Sequence, residues 1–236
     1  MPTLRNRILM IVLITATLTV QPMVAADNVP PPGFIALFNG KDLTGWQGVV
    51  PLPELMKGTA EEKGKKIAAA NDKVLPHWSV QDGVLIYDGK GDSLQTQRQY
   101  GNFELMVDWK IEKAGDSGIY LRGQPQVQIW DSTVLTGGLA PDKNKGSGGL
   151  WNNPPGSKGK EPLKNADKPV GEWNSFRIIV DADLVTVYLN GELVVEKEPL
   201  KNFWDKSKPV PALGPIELQH HGNTLYFKNI YVKELK

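Results

Sequence analysis

The sequence predicts an all-β sandwich, and three observations support this fold class. Its 236 residues include 24 Gly and 18 Pro, which is high for a helical bundle and typical of a chain with many turns. Short runs alternate apolar and polar residues with a period of two, the pattern of half-buried strands. Asp82-Gly83 and Asn190-Gly191 each separate two such runs and predict tight hairpins. About eleven strands spaced by turns indicate a sandwich or jelly roll, and the candidates are residues 34–38, 77–80, 83–87, 103–111, 118–122, 126–131, 173–180, 184–190, 192–196, 215–221 and 225–233.

One segment does not follow the strand pattern. Residues 53–72 favour a helix from about Thr59 onward, because Thr59 followed by Glu62 matches a capping box. The segment is polar, so we expect a short helical insertion on the surface between early strands.

The first 26 residues have the layout of a secretory signal peptide. Arg5 and Arg7 give a positive start, residues 8–20 are apolar with a few threonines, and small residues precede Asp27. The apolar run is shorter than the ~20 residues that span a bilayer, although an uncleaved anchor is the alternative. We therefore expect export to the periplasm or cell surface, and one domain over residues 27–236 that has no membrane association after cleavage.

Composition and charge exclude several function classes. A formal net charge of +1 argues against a strongly basic nucleic-acid binder. The absence of cysteine excludes disulfides, thiolate metal sites, a cysteine nucleophile and a lipidated N-terminal cysteine. No Gly-x-Ser-x-Gly elbow is present, which argues against an α/β-hydrolase. Seven Trp and six Tyr suit a sugar or flat-ligand site, although most of them are expected in the core.

Strand alternation sorts candidate site residues from core residues. Successive side chains of a strand point to opposite faces, so the polar members of four candidate strands should share the outward direction. If these strands are neighbours in one sheet, they form a single polar surface that resembles a sugar site. His220 shares the phase of Leu218 and is expected to pack inward. The predicted surface contains Glu104, Asp108, Tyr120, Arg122, Gln126, Gln128, Glu217, Gln219 and His221.

Eight short motifs in order identify a family resemblance. They are FNGKDLTGW (38–46), WSVQDGVL (78–85), YGNFEL (100–105), DSGIYLR (116–122), GEWN (171–174), LNG (189–191), GPIELQHHG (214–222) and FKNI (227–230). Over roughly residues 33–235 the chain closely resembles the 3-keto-disaccharide hydrolase family. The resemblance implies a concanavalin-like jelly roll of two antiparallel sheets, in exported bacterial proteins that act on glycosides whose C3 hydroxyl is oxidised to a ketone. It also implies hydrolysis, or elimination across C1–C2.

The resemblance carries site positions onto this chain residue by residue. They are Arg122, Gln128, Gln219 and His221, with Asp116 at the mouth of the strand. Many family members have Glu where this chain has Gln126, so a metal or acid-base role at that position is in doubt.

A mechanism can be assigned to these residue types. A C3 ketone makes the C2 proton acidic, and His221 is the expected base because an unperturbed histidine pKa lies near ~6.5. Arg122 is expected to stabilise the enolate oxygen, and a divalent cation is an alternative electrophile. The remaining expected roles are Glu104, Asp108 or Glu217 as the acid, Tyr120, Gln126, Gln128 and Gln219 as hydroxyl-binding residues, and Trp130 or Trp151 as a stacking ring.

Two other functions fit the same sequence. A non-catalytic carbohydrate-binding module on this fold needs aromatic and amide side chains but no general base. A conventional glycosidase needs two carboxyl groups ~5–9.5 Å apart. Glu104 and Asp108 lie about 13 Å apart along one strand at ~3.3 Å per residue, so only Glu217 with Glu104 would meet this need, on adjacent strands.

Overall fold

The computed structural model describes residues 27–123, 125–134 and 144–236, so the predicted signal peptide over residues 1–26 lies outside the described residues. The described chain contains thirteen strands, which are numbered here in chain order. They are β1 (Ile35–Ala36), β2 (Trp46–Gly48), β3 (Trp78–Gln81), β4 (Val84–Asp88), β5 (Leu94–Thr96), β6 (Phe103–Ile111), β7 (Asp116–Tyr120), β8 (Gln126–Trp130), β9 (Asn174–Asp181), β10 (Leu184–Leu189), β11 (Glu192–Pro199), β12 (Glu217–Leu218) and β13 (Thr224–Glu234).

The strands form two antiparallel sheets. The larger sheet has eight strands in the order β11-β10-β9-β6-β13-β4-β3, with β1 also paired to β13. The smaller sheet has five strands in the order β2-β5-β12-β7-β8. In β6, alternate residues from Phe103 to Ile111 are buried, because one face packs into the hydrophobic core. The prediction of an all-β sandwich is confirmed.

Two strands of the smaller sheet escaped the sequence prediction. Strands β2 and β5 have only three residues each, and all six of these residues are buried. A run of three residues is too short to show alternation, and burial of both faces removes the polar phase on which the prediction depends. Strand β5 lies directly beside β12.

The predicted hairpin turns have the expected backbone. Asp82 and Gly83 have φ angles of 51° and 77°, and Asn190 and Gly191 have φ angles of 53° and 86°. Positive φ at both central residues is the type I′ geometry, which follows the twist of the flanking strands. The first turn joins β3 to β4 and the second joins β10 to β11.

The helical insertion is confirmed, with slightly different bounds. Helix α1 (Leu52–Leu55) is a single turn, and α2 (Ala60–Val74) continues into a 3-10 turn over Leu75–His77. Thr59 and Glu62 form the predicted capping box, in which the Thr59 backbone N–H donates to the Glu62 carboxylate at 2.6 Å. None of the helices in the described ranges is long and apolar enough to cross a membrane.

Helix α2 packs against the edge of the smaller sheet. The backbone N–H of Gly48 on β2 donates to Asn71 Oδ1 at 2.8 Å. A Cβ at Gly48 would lie 2.6 Å from the carbonyl oxygen of Ala70, so only glycine permits this approach. The insertion is therefore held against the β2 edge of the smaller sheet.

Gly214 lies at a second close backbone approach, and its substitution gives the first prediction. Gly214 and Tyr100 form a β-bridge with N···O distances of 2.8 and 3.1 Å. A Cβ at Gly214 would lie 2.7 Å from Arg122 Cα and closer still to its carbonyl group, which cannot move as a side chain can. We expect Gly214→Ala to lower the free energy of unfolding by about 1–3 kcal/mol, measured by urea denaturation.

Gly64 is the control for this prediction. It lies in α2 with open space around its Cβ position, so Gly64→Ala should raise stability by about 0.5–1 kcal/mol. An equal effect of the two substitutions would show that close approach at Gly214 is not the cause.

Candidate active site

A row of polar side chains crosses the outer face of the smaller sheet. Strand register places Gln95 of β5 opposite Glu217 of β12, and Glu217 opposite Tyr120 of β7. Gln47 and Gln126 extend the same row to the two outer strands. Residues in register on neighbouring antiparallel strands point to the same face, so one row brings five polar side chains together.

A groove of about 420 Å³ lies over the middle of this row. Residues 49–51 and the first two residues of α1 line the groove, and Trp204 lines it with them. The polar lining comes from three strands and the residues next to them, and consists of Ser93, Gln95, Tyr120, Glu217, Gln219 and His220, with Asp92 beside them.

His220 and Asp92 form a hydrogen-bonded pair in the groove. Asp92 Oδ1 lies 3.0 Å from His220 Nδ1, and Ser93 Oγ lies 3.1 Å from the same nitrogen. The hydrogen bond and charge of Asp92 raise the pKa of His220, while His220 lowers the pKa of Asp92. A carboxylate that accepts from Nδ1–H leaves the lone pair on Nε2, so this pair can act as an oriented base.

The carboxyl group of Glu217 has a pKa close to neutral pH. Desolvation of this side chain in the groove raises its pKa to about 7, and the negative charge of Asp92 acts in the same direction. A hydrogen bond from Ser93 and the charge of His220 oppose this rise. Glu217 can therefore keep its proton at neutral pH, as a general acid must, and perturbed groups of this kind cluster at active sites.

Two aromatic rings form a platform at the groove. Trp204 and Tyr120 have ring centroids 6.4 Å apart and planes inclined by 19°. Trp204 Nε1 donates to the carbonyl oxygen of Gly123 at 2.8 Å, which orients the indole, although 60% of the residue is exposed. An exposed and oriented ring of this kind suits stacking on the apolar face of a sugar.

Two amide side chains of the groove have unused hydrogen-bonding capacity. Gln95 Nε2 and Gln219 Oε1 are buried and have no partner among the described residues. Buried polar atoms are nearly always satisfied in folded proteins, so atoms of this kind beside a groove are available to a ligand or to water. One donor and one acceptor match the hydroxyl and carbonyl groups of an oxidised sugar.

Comparison with known proteins assigns the chain to a family. Residues 33–233 match the family described as the 3-keto-alpha-glucoside-1,2-lyase-like domain. The chain belongs to this family. The match covers both sheets and the helical insertion, and it confirms the resemblance inferred from the eight motifs.

Individual proteins agree with the family match. A Bacteroides thetaiotaomicron protein named 3-keto-disaccharide hydrolase is 28% identical, over 86% of this chain and 79% of that protein. Two crystal structures of proposed glycosyl hydrolases from Parabacteroides distasonis each superpose with a TM-score of 0.63. They are 24% and 26% identical and cover 89% and 93% of this chain, and 100% and 95% of their own chains. These structures share the fold of this chain.

The two adjacent histidines do not follow the assignment expected from strand alternation. His220 lines the groove, whereas His221 is exposed and is not among the groove residues. The reason is that β12 ends at Leu218, so the alternation of side chains does not continue through Gln219 and His220. The expectation that His220 packs inward is wrong, and of the two histidines it is His220 that lines the groove.

Glu104 and Asp108 belong to the other sheet. Strand β6 pairs with β9 and β13 in the eight-stranded sheet, so the expectation that the four candidate strands are neighbours is wrong. Glu104 forms a 2.5 Å ion pair with Arg177, and Asp108 accepts hydrogen bonds from Ser175 and Asn229. Both carboxylates lie away from the groove, and Glu104 cannot pair with Glu217 across a sugar.

Arg122 does not line the groove either. It follows the end of β7 with a φ of 55°, which turns the chain and ends the alternation that Tyr120 obeys. The side chain is buried, and its Nε and Nη2 atoms have no partner among the described residues. Burial lowers its pKa, and Asp183 of the β9–β10 turn opposes this effect.

The remaining predicted residues form a buried network beside the groove. Gln126 donates to Gln128 at 2.7 Å, and Gln128 donates to Asp116 at 2.8 Å. Trp130 donates to the carbonyl oxygen of Gly146, and its ring meets that of Trp151 edge-on at 5.0 Å. Residues 147–150 pair with β8. The two tryptophan rings pack against each other there and do not offer a free face for stacking on a sugar. Of the predicted residues, the groove itself contains Tyr120, Glu217 and Gln219.

Sequence reasoning missed four groove residues, namely Asp92, Ser93, Gln95 and Trp204. The first three lie in or just before β5, the short strand that alternation did not detect. Trp204 lies in an irregular segment after β11, where no periodicity indicates the direction of a side chain. One sequence feature could have indicated Asp92 and Ser93 as site residues. They follow directly after the glycine-containing turn at residues 89–91, where a new strand can begin.

No three His, Asp or Glu side chains within the described ranges are arranged to hold a metal ion. Asp92 Oδ1 is already engaged by His220. The steps proposed below therefore use the side chains of the groove alone.

Trp204 provides the second prediction. We expect Trp204→Ala to raise KM for a sugar substrate about three- to tenfold with little change in kcat, because ring stacking contributes about 0.5–1.5 kcal/mol. Steady-state kinetics on a cleavable glycoside measure this effect. The control is Trp173→Ala, since Trp173 contacts Lys110 and Lys228 of the eight-stranded sheet. An unchanged KM for Trp204→Ala would remove the ring from substrate binding.

Proposed function

We propose that this protein cleaves glycosides whose sugar carries a ketone at C3, and that the groove around Glu217 and His220 is its active site. The observation that carries the proposal is that one groove contains two suitable groups. They are the imidazole of His220, which Asp92 holds by a hydrogen bond, and the carboxyl group of Glu217, whose pKa is about 7. The family description and the name of the Bacteroides thetaiotaomicron relative support this substrate class.

The first step is removal of the C2 proton. The C3 ketone makes this proton acidic, because the electron pair left behind is delocalised onto the ketone oxygen as an enolate. His220 accepts the proton at Nε2, while Asp92 holds Nδ1–H and stabilises the imidazolium that forms. The Tyr120 hydroxyl and Gln95 Nε2 are the donors that stabilise the enolate oxygen.

The second step is departure of the aglycone. The enolate electrons form a C1–C2 double bond as the bond between C1 and the glycosidic oxygen breaks. Glu217 donates its proton to that oxygen, so the aglycone leaves as a neutral alcohol and an unsaturated keto sugar remains. In the hydrolytic version water then adds to C1 and a proton returns to C2, which restores the saturated keto sugar.

The test compares oxidised and unoxidised sugars on the purified chain over residues 27–236. The protein is incubated with 3-keto-trehalose or 3-keto-lactose and with the parent sugars, with and without EDTA, and the products are followed by NMR. We expect cleavage of the keto sugars alone, with deuterium exchange at C2 in heavy water. Loss of activity in EDTA would overturn the metal-free assignment of the steps.

Two other outcomes would replace the proposal. Cleavage of the unoxidised sugars at comparable rates would indicate a conventional glycosidase. Line broadening of the sugar signals without cleavage would indicate a binding module, a function that the stacked Tyr120 and Trp204 rings also suit.

We also propose that the chain is exported and loses residues 1–26. Support comes from the positive start, apolar run and small residues of that segment. Expression in a Gram-negative host, followed by fractionation and N-terminal sequencing, should give a periplasmic or secreted protein that begins at Asp27. Recovery of the intact N-terminus in the membrane fraction would indicate an uncleaved anchor instead.

A further inference from the structure

Ser93 is a buried serine in the lining of the groove. Only 2% of the residue is exposed, and it directly precedes β5. Its backbone N–H donates to Asp92 Oδ1 at 2.7 Å, and its carbonyl oxygen accepts from the backbone N–H of Val49 at 3.1 Å. These two bonds fix the backbone of Ser93 between the carboxylate that holds the base and the wall of the groove.

The hydroxyl of Ser93 contacts His220 at two points. The backbone N–H of His220 donates to Ser93 Oγ at 3.1 Å, and the same oxygen lies 3.1 Å from His220 Nδ1. Strand β12 ends at Leu218, so His220 lies outside the regular strand ladder. The Ser93 hydroxyl therefore holds this histidine both at its backbone and at its ring.

Strand register also brings Ser93 next to Glu217. Glu217 pairs with Gln95, and Leu218 pairs with Leu94, which places Ser93 diagonally opposite Glu217 on the same face. A side chain as long as glutamate reaches a diagonal neighbour. Desolvation has the larger effect and raises the pKa of Glu217, whereas a hydrogen bond from Ser93 lowers it. Ser93 thus favours the ionised form of this carboxyl group.

A serine hydroxyl has one proton, so it cannot donate to two neighbours at once. When Nδ1 of His220 carries the proton that Asp92 accepts, Ser93 can only accept from the ring, and its own proton is left for Glu217. When the ring proton is on Nε2 instead, Nδ1 can accept from Ser93 and Glu217 loses the hydrogen bond. The tautomer that can act as a base is therefore the one in which Ser93 donates to Glu217.

We propose that Ser93 is a positioning residue that couples the base to the acid. It holds His220 in the tautomer with a free Nε2, and it stabilises the carboxylate that Glu217 becomes after giving its proton to the aglycone. The inference rests on the proposed function and adds a third residue to it. Ser93 acts only through its two neighbours, and it passes no proton to the substrate.

The first test follows Glu217 without any substrate. Carbon NMR of protein enriched at glutamate Cδ gives the titration midpoint of this carboxyl group, and Glu217→Gln assigns its signal. We expect Ser93→Ala to raise the midpoint by about one pH unit, because a hydrogen bond to a charged group is lost. Ser93→Thr keeps the hydroxyl and should keep the wild-type midpoint. The other titratable groups that face this pair are unchanged in both variants, namely Asp92, Tyr120 and His220, with Lys73 of α2 acting on Asp92.

The second test uses a 3-keto-glycoside with a poor leaving group. Ser93→Ala should move the alkaline limb of kcat/KM to higher pH by the same interval and lower kcat about three- to tenfold at unchanged KM, since a weaker acid donates its proton less readily. Ser147→Ala is the matched control and should not move the limb. Ser147 is also buried, but its hydroxyl bonds to the backbone of Trp130, and it is not among the groove residues.

The outcomes separate the inference from the proposed function. If Ser93→Ala moves neither the midpoint nor the alkaline limb, the coupling is overturned even where kcat falls, because a purely structural loss lowers a rate without shifting a titration. An equal shift in Ser147→Ala would overturn it as well. A protein that cleaves no 3-keto-glycoside would overturn the proposed function, and the NMR midpoint would still decide whether Ser93 holds the Glu217 carboxylate. Circular dichroism and thermal melts confirm that the variants are folded before they are compared.

Discussion

His220→Ala is expected to lower kcat/KM for a 3-keto-glycoside by about 10²- to 10⁴-fold, the usual contribution of a positioned general base. The substitution removes the imidazole that Asp92 holds at 3.0 Å and leaves no other nitrogen base among the residues that line the groove. Deuterium exchange at C2 should fall in parallel, because proton removal is the step that His220 serves. Exchange measured by NMR thus separates loss of the base from loss of substrate binding.

The neighbouring histidine is the matched control. His221 is exposed and outside the groove, so His221→Ala should change kcat/KM by less than about twofold. Asp92→Asn should lower the rate with little change in KM, since it removes the carboxylate that fixes the His220 tautomer. A large loss in His221→Ala together with a small loss in His220→Ala would show that the base has been assigned to the wrong histidine.

Glu217→Gln is expected to lower kcat about 10²- to 10⁴-fold for a glycoside with a poor leaving group. Glutamine keeps the shape of the side chain but cannot donate the proton that the departing oxygen needs. The loss should be much smaller for a 4-nitrophenyl glycoside, whose leaving group departs without protonation. Equal losses on both substrates would exclude Glu217 as the general acid.

The pH profile gives a second readout for the same residue. With a pKa of about 7, Glu217 loses its proton as pH rises above neutrality, so wild-type activity should fall on the alkaline side. Activity should also fall on the acidic side, because protonated His220 cannot act as a base. In plots of kcat/KM against pH, Glu217→Gln should lose the alkaline limb and keep the acidic limb. The two limbs of the wild-type profile belong to His220 and Glu217 together, because interacting groups titrate as a unit.

The raised pKa of Glu217 also makes stability depend on pH. Between pH 4.5 and about 7 the unfolded chain has released this proton and the folded chain still binds it, so stability falls as pH rises through this window. His220 acts in the same direction, because its folded pKa is raised above the usual 6.5. The contribution of Glu217 is on the order of 3 kcal/mol.

Urea unfolding at several pH values tests this stability effect. Wild-type stability should decline from pH 4.5 to 7.5, and Glu217→Gln should decline less because the variant has no carboxyl group to ionise. Parallel curves for the two proteins would contradict a raised pKa at position 217.

The sequence alone determined the sandwich, the helical insertion and the family. Long strands such as β6 alternate clearly because one face is buried, and the Asn190-Gly191 turn and the Thr59–Glu62 capping box depend only on residues close together in the chain. Local patterns of this kind follow from backbone geometry, so they can be interpreted without knowledge of the partner strands. Tyr120, Glu217 and Gln219 were identified for the same reason.

Only the tertiary structure decided which of the candidate residues meet. Sheet membership depends on pairing between distant strands, and it separated Glu104 and Asp108 from Glu217 while joining Gln95 to it. The identity of the groove histidine depends on where β12 ends, which its hydrogen bonds to β5 and β7 determine. The pKa of Glu217 arises from burial that no local pattern reveals, because desolvation is a property of all the atoms that surround a group in the folded chain.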